Sequence, residues 1–564
     1  MTLAGLGALP ASPAAAGTTT AACADFPTPP SNPSVGVAVG GTDFFTADDG
    51  IHGRQLWRSD GTAAGTAMVA DIAAAGEYSE GPAPLVAAED TVFFVADDGR
   101  HGPELWASDG TAAGTVLVKD ISDEDGYYSR PSDLVAMGDV VFFSADDGTH
   151  GRELWRSDGT AAGTVMVEDI SADDGYYGGP RSLTVAGDTL FFTADDGTHG
   201  RELWKSDGTA GGTVQVDDVY PGAYDSYVNE LAAVGDQLFF SARDGVHGQE
   251  LWTSDGTAAG TRLVENVNPG AAGALPQSLT GVGGTLFFTA DDGTHGRELW
   301  TSDGTEAGTA MVQDLDDDEG YYSGPMSLVG VAGTLFFTVD DGVHGRELWK
   351  SDGTTAGTVL VEDIRPDSYG SDPSYLTAVG DALFFAARDG VHGRELWTSD
   401  GTAAGTVLVK DIDDDTDGYS GPRSLTPVGD VLFFSADDPA HGRELWTSDG
   451  TAAGTALVED INTRIGFDVA REGRPDTHAG TLRVRVTFDA PGRLTVAPVA
   501  GSKLKRSAVD LAAAGSTTVV LRPNRAGLRE LRRTGKLQVR AEFTFTPCGG
   551  EASSVVRKYT LKMR

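Results

Sequence analysis

Cysteine is scarce in this sequence, which has only Cys23 and Cys548 among its 564 residues. One expectation is a disulfide that ties the two ends of an exported chain together. Two free thiols are the alternative, because spacing in the sequence cannot supply the Cα separation that a bridge requires. Long apolar runs are lacking as well: no stretch reaches the ~18 apolar residues of a membrane-spanning helix, which excludes a helical span.

Basic residues are also few, with 41 Lys and Arg against 84 Asp and Glu and a formal net charge of −43. Such a charge repels nucleic acid and anionic membranes, and it favours cations and basic partners. The balance reverses over residues 464–564, which hold 20 basic and 8 acidic side chains. We therefore predict a leader over 1–31, a repeat domain over 32–463 and a basic domain over 464–564.

The first residues, "MTLAGLGALPASPAAAGTTTAAC", are small and apolar and include an A-x-A-like site at 14–16. This pattern is typical of the end of a secretory signal peptide. We therefore expect a secreted or cell-surface protein. A disordered Ala/Thr arm is the alternative.

A repeat of 48 or 49 residues organises most of the chain. One unit reads "SLTVAGDTLFFTADDGTHGRELWKSDGTAGGTVQVDDV", in which four short apolar runs are separated by turn residues, with Asp-Gly on both sides of the third run. The pattern predicts a four-stranded antiparallel sheet. Every unit has one tryptophan at the same place, and we expect all of them in the core: Trp57, Trp106, Trp155, Trp204, Trp252, Trp300, Trp349, Trp397 and Trp446.

A single sheet of this size cannot cover both of its faces, so successive units must stack on one another. Neighbouring residues such as Phe287 and Phe288 point to opposite faces of a strand, which indicates a sheet packed between two others. The predicted fold class is therefore all-β, with nine four-stranded repeats in a large β-propeller followed by a small β-sandwich. An open superhelical stack of the repeats is the alternative.

Eight of the nine units contain "ELW", and all nine contain "SDGT" shortly after the tryptophan. On these motifs the chain resembles the ELWxxDGT-repeat proteins of bacteria over roughly residues 34–462. Three positions depart from the pattern, namely Gln55, Pro103 and Pro439. The resemblance implies export and repetition, and it implies no defined biochemical activity.

The repeated polar residues favour a structural role. Equivalent positions of a ring are spread around its circumference, so they cannot converge on one ion or one substrate atom. We expect His295 and its equivalents to bond turn carbonyls or a neighbouring Asp, and Asp303 to cap its own turn. Arg297 and Glu298 are expected to form ion pairs with neighbouring strands or sheets. No catalytic residue is predicted, and we expect a protein without enzymatic activity.

The segments that follow each fourth strand vary most and are rich in Asp and Tyr. Asp413, Asp415 and Asp417 precede Gly418 as D-x-D-x-D-G, the first half of a calcium loop. They predict a calcium site, with a solvated acidic turn as the alternative because the Glu of the twelfth position is absent. No other cofactor is expected. A weaker version of the pattern consists of Asp314, Asp316 and Asp318.

These observations predict an extracellular or cell-surface, non-enzymatic binding or adhesion scaffold. Its acidic, Tyr-rich loops would share one rim and bind a glycan or a protein. The alternative is a propeller-type hydrolase or lyase that acts on extracellular polysaccharide through carboxylates at the channel mouth.

Alternating runs such as "TLRVRVTFDA" and "KLQVRAEFTFTP" predict an antiparallel β-sandwich over the last ~100 residues. It resembles, in composition, the immunoglobulin-like accessory domains of secreted actinobacterial proteins. One short helix is expected between Pro523 and Gly535. Arg483 and Arg485 fall on one sheet face, which we expect to dock on the acidic propeller; an anionic cell-wall polymer is the alternative partner.

Overall fold

The structure of the protein is a computed structural model. It describes residues 30–72, 81–122, 129–170, 178–270, 273–315, 324–413, 421–462, 467–470, 473–488, 492–511, 515–547 and 553–563. The chain divides into a compact unit over Pro30–Asn462 and a second unit that contains Thr463–Arg564.

Nine four-stranded antiparallel sheets follow one another along the first unit, each built from four consecutive strands. Sheets 1 to 3 are β1 Val37–Val39, β2 Thr42–Asp48, β3 Arg54–Ser59, β4 Ala67–Ala70; β5 Leu85–Ala88, β6 Thr91–Asp97, β7 Pro103–Ser108, β8 Val116–Leu117; and β9 Ser132–Met137, β10 Val140–Asp146, β11 Arg152–Ser157, β12 Val165–Glu168. Sheets 4 to 6 are β13 Arg181–Ala186, β14 Thr189–Asp195, β15 Arg201–Ser206, β16 Val214–Gln215; β17 Asn229–Val234, β18 Gln237–Ala242, β19 Glu250–Ser254, β20 Arg262–Glu265; and β21 Gln277–Val282, β22 Thr285–Asp291, β23 Arg297–Ser302, β24 Ala310–Gln313. Sheets 7 to 9 are β25 Met326–Val331, β26 Thr334–Asp340, β27 Arg346–Ser351, β28 Val359–Glu362; β29 Ser374–Val379, β30 Ala382–Arg388, β31 Arg394–Ser399, β32 Val407–Lys410; and β33 Arg423–Val428, β34 Val431–Asp438, β35 Gly442–Ser448, β36 Ala456–Glu459.

The second strand of each sheet is buried on both faces. In sheet 6, Phe287 packs with Phe337 of sheet 7, whereas Phe288 packs with Phe239 of sheet 5. Both Phe288 and Phe337 are fully buried. Alternation along the strand thus sends adjacent aromatic residues into two different cores, as the sequence predicted.

The nine sheets close into a ring. The first strands of successive sheets contact one another, and β1 of sheet 1 contacts β33 of sheet 9. Phe45 of sheet 1 shares a core with Phe433 and Leu445 of sheet 9. The fold is therefore a nine-bladed β-propeller, which confirms the predicted fold class and excludes the open superhelical stack.

The last unit is a two-sheet β-sandwich around one apolar core. One sheet contains β37 Phe467–Val469, β38 Arg474–Asp476, β39 Thr481–Phe488 and β42 Gly515–Leu521; the other contains β40 Gly492–Pro498, β41 Ser507–Leu511, β43 Lys536–Pro547 and β44 Ser553–Lys562. The predicted helix is α1 (Arg525–Thr534). The Asn524 side chain caps its start, and Gly535 ends it in the left-handed conformation.

Arg483 and Arg485 are exposed on one face of β39. Their docking on the propeller stays a prediction. No helix among the described residues is long and apolar enough to cross a membrane.

Candidate functional site

One rim of the propeller is formed by the turns between second and third strands and by the segments that lead from a fourth strand into the next sheet. We call it the turn rim. In sheet 1, Gln55 Nε2 donates to Asp71 Oδ1 at 3.3 Å, and in sheet 4 the Arg201 amide donates to Asp225 Oδ1 at 2.9 Å. These bonds place Asp71 and the segment that contains Asp225 on the same rim as the second-to-third-strand turns.

Each of these turns is closed by an aspartate that binds the histidine three residues later. In sheet 6, Asp292 Oδ1 accepts from the amides of Thr294 and His295, and Asp292 Oδ2 lies 2.8 Å from His295 Nδ1. The hydrogen bond to Asp292 raises the pKa of His295. The same pair occurs once in every sheet: Asp49–His52, Asp98–His101, Asp147–His150, Asp196–His199, Asp244–His247, Asp292–His295, Asp341–His344, Asp389–His392 and Asp438–His441.

The glutamate of the ELW motif binds the segment that follows the fourth strand of its sheet. Glu347 of sheet 7 accepts from the amides of Arg365 and Ser371 at 3.1 and 2.8 Å, and the Ser371 hydroxyl donates to its second oxygen. Ser371 leads into sheet 8. Glu298 accepts from the amide of Leu315 at 3.0 Å, and Arg297 donates to Thr289 of the same sheet. The ion pairs that the sequence predicted for Arg297 and Glu298 stay a prediction.

Burial changes the titration of these glutamates. It raises the pKa of Glu104, Glu250 and Glu347 to about 7 and that of Glu202, Glu395 and Glu444 to about 8. All six lie inside the ring wall with at most 2% of their surface exposed. They therefore stabilise the joints between sheets and do not face a ligand.

The first strands line the central channel and carry an unusual backbone feature. Sheets 3 to 9 each have a β-bulge in this strand, at which a non-glycine residue is left-handed, with φ between 53° and 56°: Asp133, Ser182, Glu230, Ser278, Ser327, Tyr375 and Ser424. Such backbone costs about 1–3 kcal/mol per residue and tends to occur where a site requires it. We call these positions the bulge residues.

Sheet 5 departs from the repeat on the turn rim. Seven sheets have Asp at the end of the second strand, where sheet 5 has Arg243, and sheet 5 has Gln249 where most sheets have Arg. The Arg243 guanidinium lies 3.7 Å from the ring centre of Tyr227 and 5.6 Å from that of Tyr220. Tyr220 stacks on Tyr224 with ring centres 5.1 Å apart.

Two tyrosines of this cluster are open to solvent. Tyr224 is 64% exposed and Tyr227 is 52% exposed. We call Tyr220, Tyr224, Tyr227 and Arg243 the tyrosine platform. Sequence reasoning did not single out these residues, although the change from "ADDG" to "ARDG" in sheets 5 and 8 was the available signal.

Arginines gather where sheets 8 and 9 meet. Arg388 takes the place of the usual Asp and lies 4.0 Å from Asp372, and Arg394 donates to Ser374 Oγ at 2.8 Å. Arg443 forms an ion pair with Asp437. Arg423 is exposed beside them. Four arginines thus lie among Asp372 and Asp437, in a propeller sequence that has far more acidic than basic residues.

Asp437 has a second charged neighbour. Burial raises its pKa, with Arg443 acting in the opposite direction and the nearby Asp413 adding to the rise. Asp413 is 8% exposed, and its amide donates to Glu395 at 3.3 Å. Asp437 and Asp413 thus interact with each other beside Arg443.

The predicted calcium residues are only partly covered by the structure. Asp413 and the exposed Asp314 are described. Within the described residues, no three His, Cys, Asp or Glu side chains are grouped as metal ligands. The calcium site stays a prediction; Asp415, Asp417, Asp316 and Asp318 lie outside the described residues, as do Cys23 and Cys548 of the predicted disulfide.

All nine tryptophans pack in the apolar cores between sheets. Five are buried and the other four are partly buried against the same cores. Trp300 lies beside Phe288, with ring centres 6.3 Å apart.

No known protein family matches the sequence, and no curated protein does. Three solved structures illustrate what the fold is similar to. Puromycin hydrolase is 15% identical with a TM-score of 0.31, over 65% of this chain and 59% of the hydrolase. A prolyl endopeptidase is 12% identical with a TM-score of 0.36, over 73% and 55%. The extracellular domain of a putative one-component system from B. thetaiotaomicron is 10% identical with a TM-score of 0.33, over 94% and 69%.

The prediction of a protein without enzymatic activity is contradicted by this comparison, because the similar structures include puromycin hydrolase and prolyl endopeptidases. The chain spans 55–60% of the length of the first structures that it matches. The likeness is one of fold, so any reaction of this chain is a proposal.

Proposed function

We propose that this chain is an exported protein of the ELWxxDGT-repeat type and that its propeller binds glycans at the turn rim. The observation that carries the proposal is the tyrosine platform of sheet 5, where Tyr224 and Tyr227 expose more than half of their surface. Large exposed aromatic groups that are held in place mark binding surfaces more often than chance.

The platform is held in place by its own contacts. Tyr220 and Tyr224 stack on each other, and the Arg243 guanidinium covers one face of Tyr227. Gln249 Nε2 donates to the carbonyl of Tyr227 at 2.9 Å, which fixes the backbone below the ring. A fixed aromatic face can contact the apolar face of a sugar ring, while the phenol and guanidinium groups donate to its hydroxyls.

Calorimetric titration of the full chain with neutral oligosaccharides tests the proposal. A binder found on a glycan array should lose about 5-fold or more in affinity in Tyr224→Ala, because a stacking contact contributes about 1 kcal/mol or more. Val246→Ala, on the adjacent turn of the same rim and 73% exposed, is the matched control and should bind normally. Equal binding by both variants would show that the platform is not the site.

A second candidate is a hydrolase or lyase that acts on extracellular polysaccharide. The observation that favours it is the electrostatic interaction of Asp437 with Asp413, since two neighbouring carboxyl groups can act as a general acid and a general base. In this role Asp437, whose pKa is raised, donates the proton and Asp413 accepts one.

This candidate predicts new reducing ends, or new unsaturated ends, when the chain is incubated with a polysaccharide that it binds. Asp437→Asn should abolish the reaction. Asp195→Asn, at the same position in sheet 4, is the matched control and should leave it unchanged. Activity that survives in Asp437→Asn would exclude this pair as the catalytic groups.

A further inference from the structure

The backbone amides of two bulge residues donate hydrogen bonds to carboxylates of the protein. The amide of Ser182 donates to Asp133 Oδ1 at 3.0 Å, and the amide of Ser278 donates to Glu230 Oε2 at 2.8 Å. In both cases the carboxylate belongs to the bulge residue of the preceding sheet. Two bulge amides of the channel wall are therefore occupied by carboxylates of the protein itself.

The bulge of sheet 9 has the same backbone conformation as the bulge of sheet 4, but the bulge residue of the sheet before it is not acidic. Ser424 has φ 54° and Ser182 has φ 55°. Each serine follows an exposed arginine, Arg423 and Arg181 respectively. The bulge residue of the preceding sheet differs between the two cases. It is Asp133 for sheet 4 and Tyr375 for sheet 9. The amide of Ser424 thus has the geometry of an occupied carboxylate site, but the preceding bulge residue has no carboxylate to offer.

The surrounding charges are more positive than negative. Arg423 interacts electrostatically with Arg394 and Arg443, and Arg394 also interacts with Arg388. Two carboxylates lie among these four guanidinium groups, Asp372 beside Arg388 and Asp437 beside Arg443. Seven other sheets have Asp at the position of Arg388. A guanidinium has five donors in a planar fork that suits a carboxylate, so one group can bind several acceptors at once.

We infer that the channel wall between sheets 8 and 9 binds a carboxylate of the ligand, held by the Ser424 amide and by Arg423 and Arg388. The ligand is a glycan with an isolated uronic acid residue, whose ring contacts the exposed face of Tyr375. The inference rests on the proposed glycan binding, and it assigns the uronic acid to a second place, three sheets along the ring from the tyrosine platform. A polyanion is excluded because the rest of the propeller is strongly acidic and repels it.

Matched ligands test the inference: an oligosaccharide with one uronic acid, and the same oligosaccharide with its carboxyl group reduced to the alcohol. Their affinities for the full chain are measured by calorimetry, and the ratio of the two is the readout. We expect the acid to bind at least ~10-fold more tightly, since hydrogen bonds to a charged group contribute about 1.5–3 kcal/mol. Equal affinities would overturn the inference but leave the proposed function intact, whereas binding of neither ligand nor any neutral glycan would contradict the proposed function.

Variants at two positions locate the site. Arg423→Gln should reduce the ratio toward one, and Arg181→Gln, the same change beside the occupied amide of sheet 4, should leave it unchanged. Tyr375→Asp should also abolish the preference for the acid over the alcohol. The new carboxylate would accept the hydrogen bond of the Ser424 amide, as Asp133 accepts that of Ser182. Tyr375→Ala should weaken both ligands and keep their ratio.

The melting temperature of each variant is measured to confirm that it folds. A preference that persists in both Arg423→Gln and Tyr375→Asp would overturn the assignment to this place. Equal loss in Arg423→Gln and Arg181→Gln would do the same, because it would indicate an effect of overall charge.

Discussion

At the scale of single residues, the buried glutamate of the ELW motif explains why the motif repeats. One oxygen of the Glu347 carboxylate accepts from two amides of the segment that leads to the next sheet, and the other accepts from the Ser371 hydroxyl, so these buried donors have a partner. Sheet 1 has Gln55 instead, whose Oε1 accepts from the Ile72 amide at 2.9 Å. An uncharged amide can therefore occupy the same place.

This comparison predicts different costs for two changes at Glu347. Glu347→Ala should lower the free energy of unfolding by about 1–3 kcal/mol, because buried amides lose their acceptor. Glu347→Gln should cost clearly less, since Gln55 already fills the equivalent position. Urea denaturation at pH 7 measures both, and equal costs would mean that the hydrogen bonds to Glu347 contribute little.

At the scale of strands and turns, the loop between third and fourth strands has a glycine whose space is taken by an aspartate. A Cβ added to Gly308 would overlap the carboxylate of Asp303. One oxygen of this carboxylate, Oδ1, accepts from the Thr305 amide at 2.9 Å, so Asp303 caps its own turn as the sequence predicted.

Gly308→Ala should therefore act through Asp303. The new methyl group displaces the carboxylate, and the turn loses a cap that contributes about 1 kcal/mol. Asp303→Ala should cost a similar amount, and the double variant should cost no more than either single one. Hydrogen exchange at the amide of Thr305 measures the loss; additive effects would show that the methyl group clashes elsewhere.

The sequence was sufficient to predict the sheets and their stacking, because the period, the Asp-Gly turns and adjacent aromatic residues such as Phe287 and Phe288 all depend on local rules. It did not predict the left-handed bulges, since Ser, Tyr, Asp and Glu at these positions carry no signal for that backbone. The tyrosine platform was missed for another reason. Its contacts join Arg243 to tyrosines of a preceding segment, and only the folded rim brings them together.

At the scale of the whole molecule, the titration of buried groups sets how stability depends on pH. The buried glutamates have pKa values of about 7 to 8 in the folded ring, raised from 4.5 by burial. Between pH 4.5 and about pH 8, the glutamates of the folded state hold protons that those of the unfolded chain have released. The free energy of unfolding therefore falls as the pH rises through this range. The histidines add to this, because hydrogen bonds to Asp raise the pKa of His52, His150, His199 and His295 above 6.5.

We therefore predict a melting temperature that is several degrees higher at pH 5 than at pH 8. Below about pH 4 the trend should reverse, because the hydrogen bond from Thr305 lowers the pKa of Asp303, and its equivalents share this shift. Calorimetry at constant ionic strength measures the profile. A melting temperature that rises steadily from pH 5 to pH 8 would contradict the assigned protonation of the glutamates.

The ring closes by docking alone: the Ser31 amide and hydroxyl donate to Glu444, and the Asn32 amide donates to the Arg443 carbonyl at 3.2 Å. Every other joint between sheets is also crossed by the continuous chain, whereas this one has no covalent link within 30–462. Under mechanical load or partial denaturation, the interface between sheets 1 and 9 should therefore separate first, and the propeller should open into a linear array of intact sheets.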